Sequence, residues 1–200
     1  MFPTFHEACI SYILIAWMVG ISVWCLYDKA LFFILCFFPH DFFRKQQRYT
    51  LLTSPFIHIS WRHLTINIFC LLTFLSEDEY MIKDDFGPFN GSILMIVMIS
   101  SFAFIPVWAE GYLKRHDPNY LSAGASAMVF AGLMFYFFYL PMEELQFSFS
   151  VLHISYYYEL GFLCFVVLTL LWLFRIGPAA RTHWFGALTG LAMATLVSIF

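Results

Sequence analysis

Apolar residues in this chain come in long runs separated by short polar stretches, and the run lengths set the first expectation. The runs lie near 8–27, 62–76, 91–109, 121–142, 156–176 and 183–200. Each approaches the roughly 20 mostly apolar residues that a membrane-spanning helix requires. The pattern predicts an all-α, polytopic membrane protein, a bundle of six transmembrane helices forming a single domain over residues 1–200. The second run is short and begins polar. The last, at about 1.5 Å per residue, reaches about 27 Å, enough for a thin or locally thinned bilayer. Residues 1–27 lack the basic start and small-residue cleavage site of a signal peptide and read as the first span.

The connections carry their own signals. Residues 28–61 are too many for a simple turn between helices, so part of that stretch is expected to be structured. Its first half, 30–43, mixes Leu31, Phe32, Phe33, Ile34, Leu35, Phe37, Phe38, Phe42 and Phe43 with Pro39, His40 and Asp41, a composition suited to lying half-sunk in the membrane interface. Residues 77–88 hold Glu77, Asp78, Glu79, Asp84 and Asp85 and end in Asp85, Phe86, Gly87 and Pro88. That stretch predicts a solvated loop closing in a turn.

Composition sharpens the picture. The chain is 62% hydrophobic and 12% charged, against about 25% charged in an ordinary soluble domain. A soluble fold could not hide so much apolar surface, so the lipid bilayer is the expected solvent. The net charge of -3 and the lack of basic clusters interleaved with aromatics exclude a nucleic-acid partner. Cys9, Cys25, Cys36, Cys70 and Cys164 show no CxxC or metal-like spacing. They read as packed apolar thiols, and neither a metal nor a cofactor is expected. No internal repeat supports an inverted-repeat transporter.

Hydrogen-bonding groups inside spans are costly to bury and therefore point to function. Three places qualify. His63 and Asn67, four residues apart, share one face of the second span, either as an interhelical polar clamp or as paired donors. Residues 121–132 open the fourth span with small side chains, and Gly124 and Ala125 let backbone or substrate approach Ser126 closely. Near a helix N-terminus, Ser126 would have free N–H groups and the positive end of the helix dipole beside it, features suited to a developing oxyanion. The plainer alternative is tight packing through Ala123, Ala127 and Ala131. Finally, His183 starts the last span above Gly186, Gly190 and Ala194, a small-residue face able to press against another helix. Together these supply a nucleophile, a base and oxyanion donors. His6, His40, His116 and His153 have no spaced partner, and His58 could support the site or order its loop.

In this order, His63-xxx-Asn67, Gly124-x-Ser126 and His183-xx-Gly186-xxx-Gly190 resemble the rhomboid family of intramembrane serine proteases. The resemblance runs from Leu52 nearly to the end of the chain. It implies six core helices, Ser126 as nucleophile, His183 as general base, and an oxyanion hole from His63, Asn67 and the Ser126 N–H. It also implies transmembrane protein substrates and a multi-pass location such as a bacterial inner membrane. Ala127 follows the serine where the family usually has glycine, Thr182 precedes the histidine where alanine is common, and Tyr49 and Thr50 replace a Trp-Arg pair of the first loop. A catalytically inactive relative that binds membrane helices is the nearest alternative, and a rhombosortase-like activity is a narrower variant. Nine of the ten Lys and Arg fall in the first, third and fifth connections or at the run ends that border them, which the positive-inside rule would assign to the cytoplasm. The family resemblance implies the opposite orientation.

Overall fold

The computed structural model describes residues 2–149, 154–177 and 179–199. Helix α1 (Cys9–Tyr27) leads into short helices α2 (Lys29–Leu35), α3 (Pro39–Phe43) and α4 (Thr50–Thr53) and a 3-10 turn at Ser54–Phe56. Then follow α5 (Trp61–Phe86), α6 (Pro88–Lys114), α7 (Ser126–Tyr139), a small antiparallel pair β1 (Glu144–Phe149) and β2 (Ile154–Tyr156), α8 (Tyr157–Leu173) and α9 (Ala180–Val197). Helices α1 and α6 are each long and apolar enough to cross a membrane, and α7 and α8 are shorter apolar helices. Among the described residues the result is a helical bundle with one small strand pair, β1–β2.

The core is made where α5, α6, α7 and α9 meet. Leu71, Leu75, Met98, Phe102, Met128, Phe135 and Ala194 are buried there together. Large residues such as Trp24, Phe69, Ile96 and Phe162 point outward, as expected where lipid rather than water surrounds the bundle.

Residues 77–88 are not a solvated loop. Helix α5 continues through Phe86, and Asp78 and Glu79 are fully buried. Leu75 and Ile82 sit three or four residues from this acidic pair, and Leu71 one turn further back, all on the same buried face. Glu79 is buried because it has partners. The backbone N–H groups of Ile10 and Ser11 donate to its two carboxylate oxygens at 3.0 and 2.6 Å, and Lys83 Nζ lies 2.5 Å away. A carboxylate there satisfies free N–H groups of the first turn of α1 and faces the positive end of its dipole. The expected turn does occur at the end of this stretch: Gly87, at φ +78°, stops α5 and Pro88 starts α6. The carboxyl oxygens of Asp78 have no hydrogen-bond partner among the described residues.

The long connection after α1 is structured, as its length required. Its α4 and 3-10 segment meets α5 at 86°, lying across the end of the bundle. It also holds the loop that precedes α7. Phe37 and Ser122 exchange backbone hydrogen bonds at 3.1 and 3.0 Å, and Gly124 N–H donates to the Ser54 carbonyl at 2.9 Å. The first connection thus sets where α7 begins.

Candidate active site

Helix α7 begins at Ser126, five residues later than the apolar run suggested, because Ser122 and Gly124 are committed to these loop contacts. Gly124 has φ +115°, a conformation that side chains oppose, and a Cβ there would overlap the His63 ring. Glycine at this position therefore does two things: it turns the chain into α7 and lets the imidazole of His63 lie against the backbone. Ala125, fully buried, precedes the serine. The N–H of Ser126 has no hydrogen-bond partner among the described residues, as expected for the first residue of a helix.

His183 sits in the first turn of α9, and its Nε2 lies 2.9 Å from Ser126 Oγ. The two groups are 57 residues apart in sequence and meet because α9 lies directly on α7. A Cβ at Gly186 would fall inside contact distance of the Ala127 carbonyl oxygen, and one at Gly190 inside that of Ala131. Only hydrogen atoms fit at those two contacts, so the glycines fix the helix spacing and with it the distance from imidazole to hydroxyl. Phe130, one turn after Ser126, supports the His183 ring at a centroid distance of 4.7 Å. Nothing in the spacing of the motifs singled out Phe130.

The start of α9 is tethered a second time. Arg181 donates from Nε and Nη2 to the two oxygens of Glu110 on α6, at 2.5 and 2.9 Å. A bidentate pair of this kind adds geometric precision to its charge attraction. It holds the helix two residues before His183. The sequence offered no sign of it, because 71 residues separate the partners.

His63 and Asn67 line the same cavity as Ser126 and His183, a space of about 970 Å³. Its other walls come from loop residues such as Tyr120 and Ser122 before α7 and Ile176 and Ala179 before α9. Asn67 is buried, and its Nδ2 donates to His58 Nε2 at 2.9 Å. His58 Nδ1 in turn lies 2.8 Å from Ser22 Oγ, which donates to the Phe56 carbonyl at 2.9 Å. One tautomer satisfies the whole chain: His58 accepts at Nε2 and donates from Nδ1, an assignment that rests on the network. One N–H of Asn67 is used to hold the amide in place and the other is left for the cavity. His58 is thus the support of Asn67 rather than a loop residue alone. Of the histidines without a spaced partner, His6, His40 and His116 are not among the cavity-lining residues, and His153 lies outside the described residues.

Chemically, the cavity offers a hydroxyl within hydrogen-bond reach of an imidazole, a free helix N–H beside that hydroxyl, and an amide and a second imidazole across from it. Such a set can carry acyl transfer. No group of His, Cys, Asp and Glu arranged to hold a metal ion is found among the described residues.

The comparison with curated proteins gives no match. The family model described as the Rhomboid domain matches residues 45–200, which include the Ser54 contact to Gly124, His63 and Asn67, Ser126, His183 and the paired glycines of α9. With that match covering most of the chain, and the apolar helices around it, this membrane protein belongs to the rhomboid family.

Proposed function

We propose that this protein is an intramembrane serine endopeptidase that cleaves transmembrane segments of membrane-anchored proteins through a Ser126/His183 dyad. The observation that carries the reading is the 2.9 Å contact between Ser126 Oγ and His183 Nε2 inside a cavity that also presents His63 and Asn67. Helices α1, α5, α6, α7, α8 and α9 would be the six spans.

A peptide bond in a membrane helix is shielded by the helix's own hydrogen bonds, so the substrate must unwind locally before attack. Neutral His183 accepts the Ser126 proton at Nε2 as Oγ bonds to the carbonyl carbon, and the carbonyl oxygen takes the negative charge. The Ser126 N–H, the free N–H of Asn67 and His63 face that oxygen. The C–N bond then breaks, and His183 returns the proton to the leaving amine. Water enters from the cavity, gives its proton to His183, and hydrolyses the acyl-enzyme; the proton goes back to Ser126.

The donors act on the charged intermediate and much less on bound substrate. Asn67→Ala is therefore expected to lower kcat by about 10²-fold or more with little change in KM. Kinetics that show a change in KM alone would remove Asn67 from the oxyanion hole. His58→Ala, which frees the Asn67 amide, should follow the same pattern with a smaller loss.

The reading as a whole is tested by reconstituting the purified protein in liposomes with a single-span substrate and mapping products by mass spectrometry. Cleavage at one position within or beside the span is the expected result. Binding of the span without any product would favour the inactive, helix-binding alternative.

A further inference from the structure

Helices α5 and α8 both pack on α7 yet barely touch each other, which leaves a groove between them floored by α7. The active-site cavity reaches into this groove through Ile66 and Cys70 on α5, Phe130 on α7 and Leu171 on α8. A second space of about 420 Å³ continues it toward the other end of the bundle, lined by Thr73, Phe74 and Glu77 of α5, Tyr136 of α7 and Tyr157 of α8, with Phe2 of the N-terminal segment at its side. Ile66, Cys70, Thr73 and Glu77 follow one another at three- or four-residue steps, so they form a single stripe along one helix face.

The far end of the groove has the chemistry of a cation site. Phe74, Tyr136 and Tyr157 form an aromatic cluster, with centroids 5.8 Å apart for the first pair and 5.2 Å for the second. Glu77 stands at its edge and forms no ion pair among the described residues. Carboxylate and aromatic faces both attract ammonium and guanidinium groups. The surrounding pole is acidic as well. Among the described residues, 77–88, 143–149 and 154–159 contain Lys83 as their single Lys or Arg, and Lys83 is already bound to Glu79.

We infer that Glu77 is a specificity determinant: the groove receives a membrane helix bearing a Lys or Arg that docks against Glu77, Tyr136 and Tyr157 while the scissile bond lies at Ser126. The inference rests on the protease reading and names the substrate class for it. Eleven residues separate Ile66 from Glu77, which at about 1.5 Å per residue is about 16 Å, so the basic residue falls within about 11 residues of the cleaved bond, fewer by the stretch that unwinds.

The test uses the reconstituted full chain and two substrates identical except for Lys or Glu at that position. The wild-type protein should cleave the Lys substrate about 5-fold or more faster in kcat/KM, because a like charge facing Glu77 is disfavoured as the paired one is favoured. Glu77→Gln should erase the preference, and Glu77→Lys should reverse it while still cleaving. Equal cleavage of both substrates by the wild type, or an unchanged preference in Glu77→Lys, overturns the inference and leaves the protease reading standing. Cleavage of neither substrate by the wild type overturns both.

Discussion

Ser126→Ala and His183→Ala are each expected to lower cleavage of a reconstituted membrane substrate by about 10³-fold or more, with the double variant no worse than either single one. The expectation follows from how the two side chains are coupled. The hydroxyl is a weak nucleophile until its proton has somewhere to go, and the imidazole 2.9 Å away is the base in reach. Neither change should unfold the protein. The α7 and α9 backbones meet at glycines, and both substitutions leave those contacts as they are. Thermal unfolding in the same detergent should therefore stay close to wild type, and a Ser126→Ala protein that still cleaves would show that another group is the nucleophile.

Gly190→Val is the second large effect. A Cβ alone at this position would already overlap the Ala131 carbonyl, and valine adds two methyl groups to that overlap. Overpacking of this sort costs about 1 to 3 kcal/mol of stability. Because the backbone oxygen cannot swing aside as a side-chain tip could, α9 has to move as a unit and takes His183 with it. A displacement of about 1 Å is enough for a rate loss of about 10²-fold, so activity should fall further than stability. Gly20→Val in α1 is the control: nothing lies within 4 Å of a Cβ there, and both stability and cleavage should be nearly unchanged. Gly177 is a poorer control, since its φ of +87° would strain any side chain. Full cleavage by Gly190→Val would separate the helix spacing from the dyad.

What could be read from the sequence divides along a physical line. The apolar runs and the small-residue face of α9 were legible because they are local: a helix in lipid needs about 20 apolar residues, and a close helix contact needs glycine at four-residue spacing. Ser126, His183, His63 and Asn67 stood out because polar groups in apolar runs are costly, and the structure brings all four to one cavity. The end of α5 is not legible for the converse reason. Five acidic residues within 77–88 look like a solvated loop until it is seen that Glu79 meets the first turn of α1, 68 residues away in sequence. The same limit hid the Glu110 pair with Arg181, the placement of Phe130 beneath His183 and the bond from His58 to Ser22. Each depends on which helices become neighbours, which short-range spacing does not encode. The start of α7 is hard to read because small residues at 121–125 resemble a helix opening, while the backbone groups of Ser122 and Gly124 are bonded to the first connection.

Whether Ser126 is a nucleophile activated by His183 is tested by covalent labelling without knowledge of any substrate. A fluorophosphonate should add to the wild-type protein once, at Ser126, as read by intact mass and peptide mapping. His183→Ala should label far more slowly, and Ser126→Ala not at all. Labelling that persists in Ser126→Ala, or that proceeds at the wild-type rate in His183→Ala, would contradict the account.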